Sequence, residues 1–185
     1  FKKEECKFNY RDSIFKNDLK GKYIITEVTY RLSKTFVPKL SYGAISHELK
    51  ERGILNPSIK NVSDVVSHIR VSKLPDPATI GNAGSFFKNP VITFSKFRHI
   101  QSTFPDIVHY VIDNEYVKLA AGWLIEQCGW KGKTVGHTGT WKNQALVLVN
   151  HGNATGEEIL NLSADIIKSV QNQFGLVLER EVNII

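Results

Sequence analysis

Methionine is absent, and a chain that opens on Phe1 without it reads as part of a longer or processed gene product. Cysteine is scarce. Cys6 and Cys128 are the only two, too few for a disulfide framework, which suits a reducing compartment. Two buried thiols are the plain reading of such a pair. No window approaches ~18 consecutive apolar residues, so no helix of this chain is expected to span a bilayer. The opening Phe1-Lys2-Lys3-Glu4-Glu5-Cys6 lacks the apolar core of a signal peptide. Internal repeats and low-complexity tracts are missing as well. Lys and Arg never form a run of four, although the net charge is +6 and the pI is near 9.3. Scattered positive charge steers small anions, whereas a nucleic-acid groove needs clustered basic residues interleaved with aromatics. A phosphorylated small molecule is therefore the better-fitting partner, with no nucleic acid and no membrane. The histidines, His47, His68, His99, His109, His137 and His151, contain no i,i+4 pair and sit near no Cys cluster. No metal site of known spacing is expected.

What is present is an ordinary globular balance: 185 residues, 42% hydrophobic and 23% charged. That suffices for one compact domain, or a small domain plus part of another. Tyr23 to Leu32 alternates as a strand, with Ile24, Val28, Tyr30 and Leu32 on one face. Ala44 to Arg52 predicts a short helix stopped by Gly53. Ser63 can cap a helix from Asp64 to about Ser72, which Leu74-Pro75-Asp76-Pro77 ends and where a domain boundary is expected. Gly81 to Pro90 predicts tight, non-helical backbone. Helices are expected over Ser95 to Thr103 and over Lys118 to Cys128, the latter stopped by Gly129. Ala145 to Val149 reads as a buried strand. Thr155-Gly156-Glu157-Glu158 is a capping box opening a helix to about Phe174, with Ile159, Leu162, Ile166, Ile167 and Val170 inward. Leu176 to Ile185 reads as a final strand. Helices and strands mix without strict alternation, so the fold class is α+β.

The chemistry-bearing residues leave alternatives open. Gly81 to Ser85 is neither a phosphate loop, a dinucleotide fingerprint nor a hydrolase elbow. By composition the segment is more often a turn than a site. Its unusual feature is Phe86-Phe87, aromatics that would dehydrate the Ser85 hydroxyl as a proton donor requires. Tyr10-Arg11-Asp12-Ser13 is a polar cluster in which an arginine fork could take a carboxylate or phosphate, or form a plain surface ion pair. Glu181 is a solvated strand charge or a functional carboxylate.

These stretches together, in order, resemble the UDP-N-acetylenolpyruvoylglucosamine reductases. Tyr10 to Lys16 resembles their Y-R-x-S motif. Lys73 to Pro77 with Gly81 to Pro90 resembles their most characteristic stretch. Lys118 to Glu126, Ala145 to Asn150 and Leu178 to Val182 resemble later blocks. The loop Pro38 to Gly43 resembles the substrate-covering tyrosine loop of one type. The block from Thr134 to Lys142 departs from any pattern.

The resemblance implies an architecture and a reaction. Residues 1–74 would end a flavin-binding domain of the vanillyl-alcohol-oxidase type. Residues 75–180 would form an α+β substrate-binding domain, and 181–185 a closing strand returning to the active site. The implied activity is reduction of UDP-N-acetylglucosamine enolpyruvate to UDP-N-acetylmuramate for peptidoglycan, with FAD as cofactor and NADPH as co-substrate. The protein would be cytoplasmic and monomeric at full length. Ser85, Arg11 and Glu181 match the catalytic positions. Ser85 would be the proton donor; Arg11 and Glu181 would attend the substrate carboxylate, with Glu181 carrying or sharing a proton. Tyr42, Lys73, Asn89 and Lys131 match positions around diphosphate and sugar, and Tyr110 and Gln144 positions near uridine. Tyr10, Arg11 and Arg70 match flavin-side contacts. Three rivals stand beside this: a binder of the nucleotide sugar without a working flavin site, a flavin-dependent alcohol oxidase, and an interaction module whose motifs are turns.

Overall fold

The computed structural model describes residues 1–41 and 43–185. The chain divides into two compact units, 1–62 and 63–185. The helix α2 (Ile59–Lys73) crosses the division.

The first unit carries a 3-10 turn at Ile14–Lys16 and the helix α1 (Ile45–Glu51). Gly53 follows α1 at φ +68°, as a helix stop requires. Phe1 packs edge-on against both Phe15 and Tyr23, at 5.1 and 5.2 Å between centroids. The expected strand over 23–32 does not form. Ile24 is 89% exposed, and Tyr30 and Leu32 are exposed as well. Alternation prepares a strand but does not supply its hydrogen-bonding partner, and the described residues of this unit contain no other strand to complete the ladder.

The helix α2 begins earlier than Ser63. Ser58 and Asn61 cap it reciprocally: the Ser58 Oγ accepts from the Asn61 amide at 3.2 Å, and the Asn61 Oδ1 from the Ser58 amide at 2.9 Å. This is capping-box geometry with Asn in place of Glu, and it leaves Ser63 inside the helix.

Unit 63–185 holds two antiparallel sheets. The first runs β1 (Gly81–Ser85), β7 (Gln144–Asn150), β6 (Thr138–Trp141), β5 (Thr134–Val135). The second runs β2 (Val91–Thr93), β4 (Tyr116–Leu119), β3 (His109–Val111). The helices α3 (Phe94–Thr103), α4 (Ala121–Gln127) and α5 (Gly156–Phe174) complete the unit. The fold is α+β with antiparallel sheets, and the strand over 144–150 has the buried character its apolar run predicts.

On α5 the residues Leu162, Ile166, Val170 and Phe174 recur every four positions and are all buried. They meet Phe86, Phe87, Leu119, Leu124, Ile125, Leu148, Leu176 and Leu178 in one core. Each such side chain contributes roughly 1.5–3 kcal/mol on leaving water. Both halves of the capping box form at Thr155 and Glu158, and Gly175 ends α5 in the left-handed conformation.

Two sequence expectations shift in this unit. Lys118 and Leu119 belong to β4 rather than to a helix, because Val117 and Leu119 alternate into the core. The helix that follows starts at Ala121, where the Asn89 Oδ1 accepts the Ala121 amide proton at 2.9 Å. The final strand over 176–185 reduces to a single bridge, Phe87 opposite Arg180.

Candidate active site

The carboxy-terminal end of β1 brings two expected residues to one place. Ser85 is its last residue, half-buried and opposite Val147, just past a register shift between Asn82 and Ser85. Gly84 inside that shift has φ +69°, a conformation that favours glycine. The Phe86 amide then donates to the Leu146 carbonyl at 2.8 Å. The Phe86 carbonyl accepts the Glu181 amide proton at 2.8 Å. One turn of the ladder away, the Lys88 amide donates to the Glu179 carbonyl at 2.8 Å, and the Lys88 ammonium pairs with the Glu179 carboxylate. Ser85 and Glu181, 96 positions apart by number (181 minus 85), thus lie on hydrogen-bonded neighbouring segments. Glu181 is half-buried, and its Oε2 is shielded from solvent. Phe86 and Phe87 are buried core residues, with ring centroids 5.4 Å apart.

A second group gathers at α4. Asn89 caps its first residue. The Gln144 Oε1 lies 2.9 Å from where a β-carbon on Gly122 would sit, so a larger residue there would displace Gln144. Asn89 and Gln144 therefore meet the same helical turn. Lys131, just beyond the other end of α4, pairs with Glu126 at 2.8 Å, with both side chains well exposed. Tyr110 on β3 stands opposite Lys118, whose ammonium lies 5.7 Å from the ring centre. Lys73 is exposed at the end of α2.

Arg70 lines a cleft of about 610 Å³ together with Val71, Leu74, Asn82, Trp141 and Val147. The Trp141 Nε1 is buried without an acceptor among the described residues. Val71, Leu74 and Val147 give the cleft an apolar wall, and the Arg70 guanidinium and Asp76 carboxylate are its charged groups, a lining that can take a ligand with both apolar and polar parts. No cluster of metal-ligating side chains occurs among the described residues.

Arg11 and Tyr10 lie in unit 1–62, at the centre of a tight turn. The Asn9 and Asp12 backbones exchange hydrogen bonds of 3.1 and 3.2 Å around them. Arg11 has φ +54°, a left-handed conformation that strains an L residue bearing a β-carbon. The Asp12 Oδ1 accepts from the Ser13 amide and the Asn17 side chain, and the Lys16 ammonium donates to the Arg11 carbonyl. Tyr42 lies outside the described residues.

Sequence reasoning missed Ser163 and Arg180. The Arg180 Nε donates to the Ser163 Oγ at 2.7 Å. A signal was available: Ser163 follows Leu162 on the inward face of α5, where a hydroxyl needs a partner.

These features define the class: an antiparallel α+β domain in which the segment carrying Glu181 is hydrogen-bonded to the residue that follows Ser85. Comparison with known proteins narrows it. A family model described as UDP-N-acetylenolpyruvoylglucosamine reductase, C-terminal domain, matches residues 76–185. The UDP-N-acetylenolpyruvoylglucosamine reductase of Flavobacterium johnsoniae is 52% identical over 186 residues, covering 100% of this chain and 55% of that protein. The same enzyme of Amoebophilus asiaticus is 50% identical over 185 residues, covering 100% and 55%. That of Burkholderia lata is 48% identical over 183 residues, covering 98% and 52%. This chain belongs to the UDP-N-acetylenolpyruvoylglucosamine reductase family. It spans about half the length of the curated relatives it matches.

Proposed function

We propose that this chain is the substrate-handling portion of a reductase that converts UDP-N-acetylglucosamine enolpyruvate to UDP-N-acetylmuramate for peptidoglycan, in the cytoplasm. On this reading residues 1–74 close a flavin-binding domain of the vanillyl-alcohol-oxidase type, and 75–180 bind substrate. The chemistry that bound FAD would supply, after reduction by NADPH, is a hydride equivalent for the terminal alkene carbon of the enolpyruvyl group. Arg70, with Tyr10 and Arg11, belongs to the set that would hold FAD.

The chain's own residues handle charge and proton. Hydride addition leaves negative charge on the neighbouring carbon, delocalised into the carboxylate as an enolate. The Arg11 guanidinium offsets that charge by a forked contact. Glu181 helps only while it holds or shares a proton, since a bare carboxylate would repel the substrate. The Ser85 Oγ gives its proton to the second carbon, and the resulting alkoxide regains one from solvent. A serine hydroxyl is a weak acid, so it must be close and dry, and the buried Phe86 and Phe87 support that. Lys73, Lys131, Asn89 and Tyr42 serve the diphosphate and sugar, and Tyr110 and Gln144 the uridine end.

The observation that carries this reading is the hydrogen bond from the Glu181 amide to the Phe86 carbonyl, which ties the acid to the residue next to Ser85. Rapid kinetics on the full-length protein test it. Ser85→Ala is expected to leave flavin reduction by NADPH within about twofold and to slow sugar-nucleotide reduction by at least ~100-fold. Equal loss of both half-reactions would contradict the role.

A further inference from the structure

Ser163 has no part in the proposed chemistry, yet it is a polar side chain with 0% exposure in the middle of α5. Serine is a poor choice there, since it is only neutral in helix interiors and a buried hydroxyl without partners is costly. Here it is doubly used. The Ser163 Oγ donates to the Leu160 carbonyl at 2.6 Å and accepts from the Arg180 Nε at 2.7 Å.

Arg180 immediately precedes Glu181. Leu176 and Leu178 are buried while Val177 and Glu179 are exposed, so this segment alternates as extended chain does. Arg180, two residues past the buried Leu178, is half-buried and reaches α5, and its backbone stands opposite Phe87. That pair is flanked by the Lys88-to-Glu179 and Glu181-to-Phe86 hydrogen bonds. An isolated bridge with two flanking bonds is a weak ladder. A slip by one residue would send Glu181 to the opposite face. The Arg180 side chain, fastened to a residue of the rigid core helix, blocks that slip.

We infer that Ser163 and Arg180 are positioning residues for Glu181, holding the terminal segment in the register that sets Glu181 opposite Phe86, the residue next to Ser85. The inference rests on the assignment of Glu181 to the reaction centre.

Two measurements on the full-length protein test it. In Ser163→Ala and in Arg180→Gln, the Glu181 amide should exchange with solvent at least about tenfold faster, while amides of α5 keep their protection. In the same variants kcat for sugar-nucleotide reduction should fall about tenfold or more, since small misplacements of a reacting group are costly. Flavin reduction by NADPH should stay within about twofold. Neither substitution should slow a Glu181→Gln protein further, because both act through the same carboxyl. Equal loss of both half-reactions, an unchanged Glu181 amide, or an undiminished effect in the Glu181→Gln background would each overturn the inference. A Glu181→Gln protein as active as the parent would instead remove the assignment of Glu181 on which the inference rests, and the exchange result would still report on the register.

Discussion

The two units of this chain use similar sequence patterns to different ends. In unit 63–185, Gln144–Asn150 finds β1 on one side and β6 on the other, and its alternate residues are buried. In unit 1–62, the alternating stretch 23–32 forms no strand, and Ile24, Tyr30 and Leu32 are exposed. Periodicity thus states what a segment can bury, and the rest of the fold decides whether it does. The same contrast separates Ser85 and Glu181, fixed by a shared ladder, from Arg11, held in a strained local turn.

The largest effect expected from this contrast is in the core. Leu124→Ala, at a position with 0% exposure, should cost roughly 2–5 kcal/mol by chemical denaturation. Ile24→Ala, at 89% exposure, should change stability by no more than ~0.5 kcal/mol. A large loss at Ile24 would show that 23–32 has buried partners, and the distinction between the units would fail.

A smaller effect belongs to the cap of α5. Thr155→Ala should cost about 1 kcal/mol. Glu158 also gives this helix a pH dependence. The Thr155 backbone hydrogen bond, then the Thr155 hydroxyl and the nearby His137, hold its carboxyl below the ordinary carboxylate range. A carboxyl depressed in the folded state stabilises above its unfolded pKa, and that stabilisation disappears as pH falls through the folded value. Glu158→Gln should therefore differ most from the parent near neutral pH and converge with it in acid. A gap that persists unchanged in acid would contradict this.

The smallest effect tests the strained turn. Arg11→Gly relaxes a positive φ, so stability should hold or rise by up to about 1 kcal/mol. Sugar-nucleotide reduction by the full-length protein should be lost. A clear loss of stability would mean that Arg11 is there for packing.

Much of unit 63–185 was legible because its signals are local. The Thr155 box and the glycine stop at 175 depend on a few adjacent residues, and each forms. Signals that depend on distant partners were not legible. The sequence places the start of helix α4 too early because its cap, Asn89, lies 32 residues before it. The start of α2 was missed because an Asn completes a box usually completed by Glu or Gln. At the site, residue types alone left Ser85 and Glu181 open and the family resemblance singled them out, but neither pointed to the hydrogen bond between the Phe86 carbonyl and the Glu181 amide or to the Ser163–Arg180 contact. Those arise only when β1, α5 and the terminal segment are packed together.

The most direct test is a crystal structure of the full-length protein with UDP-N-acetylglucosamine enolpyruvate bound. The Ser85 Oγ should stand within ~3.5 Å of the alkene carbon bearing the carboxylate, with the Arg11 guanidinium and the Glu181 carboxyl each within hydrogen-bond distance of the enolpyruvyl group. An enolpyruvyl group seated away from Ser85, with Arg11 or Glu181 turned from it, would contradict the account.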